Sequence, residues 1–344
     1  MSNPLLVNVG NPGISYTPAQ TLELVSRAGA RKGRTKPHIV FISAVSGGCM
    51  VGFAVAAFLA VVTAPWYQEN APGFIRMIGA LIFPSGLVMI VLTGAELFTG
   101  TTMFTTVAVL HGRLSVWRML LHWFLCFWGN FAGSLFVTLI IFGYGGGFDS
   151  PPYRDQVIAT ATSKQVTPSF HQIFLRGIGC NWLVCMAIYL GMQAKDINSK
   201  IVAMWWPIFA FGAAGLEHVV ANMSFIPLAI FHGTPDLSIG LYIWKGIIPS
   251  GLGNIIGGAL FCGVYYWWIF IYRESEIMVD GTYYEHQPQH VAREVQNLDA
   301  EKGAAPEAAA VRTGAERDME AGSLNMRKPP LSGSEYSSVT NLGN

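Results

Sequence analysis

The chain has 344 residues, 52% of them apolar and only 12% charged, with a positive mean hydropathy and a net charge of +1. That balance excludes an ordinary soluble domain and argues against a nucleic-acid partner. The charge is also uneven: residues 273–344 hold 12 of the 20 acidic side chains, so the chain before them forms one long greasy body.

The opening MSNPLLVNVGNPG has no charged segment followed by an apolar run, so a cleaved leader is not expected and the first true span directs insertion. A membrane crossing needs about 20 mostly apolar residues. Six stretches supply them, over 38–62, 76–109, 115–143, 169–193, 201–232 and 240–272. Basic residues gather on alternate flanks. Arg27, Arg31, Lys32, Arg34 and Lys36 precede the first span, Arg113 and Arg118 follow the second, and Lys195 and Lys200 follow the fourth. The opposite flanks carry fewer, chiefly Arg76, Arg154 and Lys164, which places both termini in the cytoplasm. The expected organisation is an N-terminal cytoplasmic segment over 1–37, a six-span domain over 38–273, and a tail over 274–344. The tail is rich in Ala, Glu, Gly, Pro and Ser and so reads as disordered.

Cys49, Cys126, Cys180, Cys185 and Cys262 all fall in apolar stretches, at spacings that match no metal motif. They are expected to pack as small hydrophobes, with no disulfide, metal or cofactor.

The second and fifth spans are abnormal. TGAELFTGT and GAAGLEHVVAN interrupt them with glycines and a glutamate near mid-span. GAELFTGTTMF from Gly94 and GLEHVVANMSF from Gly215 share Gly-x-Glu 121 residues apart, and GNFAG from Gly129 and GNIIG from Gly253 match 124 apart. A duplication of 38–143 into 169–273 follows. Each copy crosses three times, so the copies run in opposite senses. In such inverted repeats, paired broken helices mark a solute path near the midplane, because irregular backbone at that depth must be buried or line a cavity.

Ionisable groups within a span point to a functional site by default. Glu96 and Glu217 occupy matching places, where a carboxylate is expected to take the loop's unpaired amides and hold its shape. His218 has no counterpart, since Leu97 stands at the matching position, and an asymmetric titratable ring in a symmetric scaffold suggests a chemical role. The sequence has no phosphate loop, GxSxG or His-x-x-x-His pair, so an enzyme is not expected.

GAELFTG and GLEHVVANM, with FPSGL and GCNWLVCMAIYLG, together resemble the signatures of the formate/nitrite transporter family over about residues 18–273. The RKGRTK flank and the long tail look most like the filamentous-fungal, nitrite-transporting members. The resemblance implies an all-α membrane protein of six spans with an aquaporin-like inverted repeat, assembled as a homopentamer in the plasma membrane with a pore in each subunit. It further implies that Leu97, Phe98 and Thr99 form the loop breaking span two and that His218 is the central pore histidine. Phe83, Leu87 and Phe211 narrow the path, Asn181 and Asn222 lie near it, and Lys164 stands near a vestibule lysine. Nitrite, with formate as the alternative, and protons are the implied partners beside lipid. Either a cationic His218 pairs with the anion, or the anion takes a proton and crosses as a neutral acid. An aquaporin-type channel is the rival, but NP occurs only at Asn3-Pro4 and Asn11-Pro12, ahead of the spans.

Overall fold

The computed structural model describes residues 15–274 and 277–284. Helix α1, Pro18–Arg34, opens it: Thr17 caps α1 by accepting the Gln20 amide, while the Gln20 side chain accepts the Thr17 amide. It lies within the stretch expected only as a polar cytoplasmic segment. The rest is α2 Pro37–Val62, α3 Pro65–Asn70, α4 Pro72–Thr93, α5 Phe98–Leu110, α6 Val116–Tyr144, α7 Tyr153–Ala161, α8 Phe170–Gln193, α9 Ile197–Ala214, α10 Val219–Phe231 and α11 Ile239–Phe270. Five of these helices are long and apolar enough to cross a membrane, and α9 with α10, bent by 48° at their break, supply a sixth crossing. The chain is therefore an all-α membrane protein of up to six spans, with breaks where the glycine-glutamate motifs stand.

Both breaks are built the same way. Gly94 ends α4 and Gly215 ends α9 in the left-handed region, with φ of 75° and 69°, conformations that favour residues without a Cβ. After three further residues the chain re-enters a helix at Phe98 or Val219. The glycines of the GNxxG motifs bring long helices close together around the breaks. A Cβ on Gly133 would stand 2.0 Å from the Val45 carbonyl oxygen, and one on Gly257 would stand 2.3 Å from that of Ile178. Only glycine lets α6 approach α2, and α11 approach α8, this closely.

Residues 277–284, assigned from composition to the tail, fold as a tight hairpin about Asp280 and Gly281, whose φ angles are 48° and 75°. The hairpin clasps α1. Arg27 donates to the carbonyls of Ile277 and Thr282, Gln20 donates to that of Met278, and the Tyr16 hydroxyl donates to Asp280 at 2.5 Å. That bond, with burial, raises the Tyr16 phenol above its ordinary range. The remainder of the expected tail, from residue 285 on, lies outside the described residues.

Candidate functional site

The site begins with the backbone the two breaks expose. A helix that starts in mid-span has amides that lipid cannot satisfy. Asn130 of α6 accepts the Phe98 amide at 2.8 Å and donates to the carbonyls of Ala44 at 2.7 Å and Glu96 at 2.9 Å. Asn254 of α11 repeats the arrangement: it accepts from Val219 at 2.8 Å and donates to Gly177 at 2.8 Å and Glu217 at 2.9 Å. The expectation that Glu96 and Glu217 take the loops' amides is therefore not met. Asparagine does this work because it can accept one bond and donate two, which a carboxylate cannot.

Each glutamate instead faces a lysine. Lys32 of α1 lies 2.8 Å from Glu96 and 5.4 Å from the centre of the Phe104 ring; Lys164, just after α7, lies 3.1 Å from Glu217 and 5.6 Å from the Phe225 ring. Phe104 and Phe225 match at the same offset as the glutamates. Three crossings separate α1 from α7, so these two Lys-Glu-Phe groups stand toward opposite faces. Lys32 is absent from the expected site. Its signal was hidden in a basic run whose topogenic role was sufficient explanation.

Between the two groups lies His218. It caps α10: its Nδ1 accepts the Ala221 amide at 3.0 Å, so the ring's proton sits on Nε2, which donates to Thr99 Oγ1 at 2.9 Å. One bond thus joins the two breaks. Above it a small cavity of about 20 Å³ is lined by Phe83, Leu87, Leu97, Phe211 and His218 with other apolar side chains. The Phe211 ring stacks on the imidazole at 6.1 Å, Phe83 meets Phe211 edge-on at 5.4 Å, and Phe58 meets Phe83 at 6.1 Å. Phe58 also borders a vestibule of about 730 Å³ that reaches Glu217 and carries Arg76 and Arg176. The aromatic contacts from Phe58 through Phe83 and Phe211 thus run from the vestibule to the histidine.

The other expected site residues do not line that cavity. Phe98 turns to Phe127, edge-on at 5.4 Å. Asn181 is fully buried and donates to the carbonyls of Thr99 and Asn254 and to Thr102 Oγ1, while Asn222 donates to Glu217 at 2.9 Å. Both brace the segments around the two breaks. The fold also gathers Glu96, His122 and Cys126, with ligand atoms all within 4.8 Å of one another. Sequence spacing gave no sign of such a set, because the glutamate comes from a different element.

Comparison with known proteins now decides the family. A family model described as "Formate/nitrite transporter" matches residues 19–268. The chain belongs to the formate/nitrite transporter family. It is 33% identical over 269 residues to a probable formate transporter of Methanothermobacter thermautotrophicus, covering 74% of this chain and 97% of that one. It is also 31% identical over 242 residues to the nitrite transporter NirC of Escherichia coli, covering 70% and 86%. Among solved structures, a pentameric formate channel with formate bound aligns with a TM-score of 0.61 at 28% identity, over 69% of this chain and 98% of that one. As a member of this family the chain is an integral membrane transporter and not an enzyme.

Proposed function

We propose that this chain conducts small monovalent anions of weak acids, nitrite foremost and formate as the alternative, in a proton-dependent manner through a pore in each subunit of a homopentamer in the plasma membrane. The observation that carries this reading is the Thr99–His218 bond, set behind aromatic rings in a scaffold that carries a buried Lys-Glu pair in each half. Arg76 and Arg176 in the vestibule draw anions toward the constriction, beside the Lys164–Glu217 pair. The oily constriction then opposes a bare charge. Leaving water raises the basicity of a weak-acid anion, so protonation in the vestibule lets a neutral acid pass the rings.

The geometry favours this route over a fixed central cation. A proton added to His218 can go only to Nδ1, which already accepts the Ala221 amide and holds the start of α10. The neutral ring offers Nε2–H to Thr99, and the Thr99 hydroxyl keeps its own hydrogen for a passing oxygen atom. The pair is a neutral polar station in an apolar tube. Asn181, Asn222 and Phe98 brace the station, and Leu97 narrows it.

Sequence relatives of both substrate classes support the coarse function; the likeness of the RKGRTK flank and tail to fungal nitrite-transporting members supports nitrite. The test is uptake of labelled nitrite into proteoliposomes, with formate, lactate and hydrosulfide as competitors, over a pH series. Uptake rising as pH falls, with unlabelled nitrite displacing the label more strongly than formate, lactate or hydrosulfide, is the expected result. Flux indifferent to pH, or flux of glycerol alone, overturns the proposal.

A further inference from the structure

The two halves treat their glutamates differently. Glu217 Oε2 receives both Lys164 at 3.1 Å and Asn222 at 2.9 Å. Glu96 uses only Oε1 for Lys32, at 2.8 Å, and its Oε2 has no hydrogen-bond partner. Facing that oxygen at 3.4 Å is His122 Nε2, which is also without a hydrogen-bond partner. Glu96 is 7% exposed and His122 is 3% exposed. The two atoms meet only as a long ion pair, without a well-formed hydrogen bond between them, in a place shut off from water. The third member, Cys126, is fully buried one helical turn beyond His122 on the same face of α6. At the offset relating GNFAG to GNIIG, the residues matching His122 and Cys126 are Gly246 and Ser250, so the second half has no equivalent.

We infer that Glu96, His122 and Cys126 form a binding site for a divalent, borderline-soft cation of the zinc, cadmium or cobalt class. Two ligand atoms about 2.0–2.1 Å from one tetrahedral cation stand about 3.3 Å apart, and the carboxylate oxygen and imidazole nitrogen stand 3.4 Å apart. The donors, one oxygen, one nitrogen and one sulfur, suit that class and not calcium or magnesium. Binding forms O–M, N–M and S–M bonds, and the Cys126 thiol proton leaves to solvent. Carboxylate and thiolate then balance the charge of the ion, while Lys32 keeps Oε1. A solvent molecule completes the four-coordinate shell. Entry follows the Lys32 side chain, which is 21% exposed. A bound cation fixes the loop residue Glu96 to α6, immediately before Leu97 and Thr99. Among the described residues, no other three His, Cys, Asp or Glu converge in this way.

The test uses the purified full-length protein in detergent, titrated with Co²⁺. One equivalent per subunit is expected to bring up a thiolate-to-cobalt charge-transfer band in the near ultraviolet. That band is expected to vanish in Cys126→Ser, and the affinity to fall at least tenfold in His122→Gln. Zinc K-edge absorption of the wild type, which needs no variant to fold, is expected to show one sulfur among the nearest neighbours. A shell of nitrogen and oxygen only, the absence of a thiolate band, or a band unchanged in Cys126→Ser overturns the site. None of these readouts depends on which anion is carried.

Discussion

Asn130 and Asn254 make the same three bonds in opposite halves of the molecule: each accepts the first amide of a half-helix, donates to the glutamate carbonyl just before it, and donates to a neighbouring long helix. Their equivalence ties the duplication to a physical need, since each break leaves the same backbone groups to be satisfied. Replacing either with alanine leaves a buried amide and two carbonyls short of partners. The expected result is a loss of several kcal/mol, seen as a sharp fall in the yield of folded protein and in its thermal midpoint in detergent. Wild-type yield and midpoint for both variants would show that the loops hold themselves.

The interhelical contacts at Gly133 and Gly257 give a second prediction. Alanine at either places a Cβ 2.0 or 2.3 Å from a carbonyl oxygen of the facing helix, so helices must move apart. Overpacking of this kind typically costs about 1–3 kcal/mol. Thermal unfolding of Gly133→Ala and Gly257→Ala is expected to shift down by several degrees, whereas Gly73→Ala, with nothing within 4 Å, is expected to unfold like the wild type.

His218 combines two jobs that substitution can separate. His218→Phe removes both the cap on Ala221 and the donor to Thr99; His218→Asn can retain a cap, because asparagine is a good one, while losing the ring nitrogen. Nitrite uptake is expected to fall at least tenfold in both. The stability of the Asn variant is expected to exceed that of the Phe variant by about 1 kcal/mol. Unimpaired, pH-dependent uptake by either variant would take the histidine out of the transport step.

The two Lys-Glu pairs predict an asymmetry in stability. Lys164→Gln removes the partner of a carboxylate that is 1% exposed, while Lys32→Gln removes the partner of one that is 9% exposed. The more deeply buried charge suffers more from losing its partner, so Lys164→Gln is expected to destabilise more than Lys32→Gln. Both are expected to raise the apparent KM for the anion at low ionic strength, with the difference from wild type shrinking in high salt. A double replacement, Lys164→Gln with Glu217→Gln, is expected to recover stability.

The breaks were legible because glycine and glutamate are out of place in apolar runs, and a repeated Gly-x-Glu is hard to produce by packing needs alone. The central histidine was legible for the same reason. Lys32 was not, because it sits on a different helix, 64 positions before its partner, in a run that topology already explained. Helix α1 was hidden by its polarity, since a search for crossings passes over an amphipathic surface helix. Asn130 and Asn254 stood in plain view as repeat markers, yet their task emerged only once the broken helices were folded against them. His122 and Cys126 are one turn apart, a spacing common in any helix, and only the fold supplies the third donor.

The hairpin over 277–284 bears on how the ends of the chain communicate. It grips α1 through Gln20 and Arg27 and the residues just ahead of that helix through Tyr16, and the same helix carries Lys32 to Glu96. Anything that loosens the hairpin's hold on α1 therefore acts, through that helix, on the Lys32–Glu96 pair beside the first break. The Lys164–Glu217 pair, whose lysine lies in the connection between the third and fourth crossings, takes no direct part in that grip.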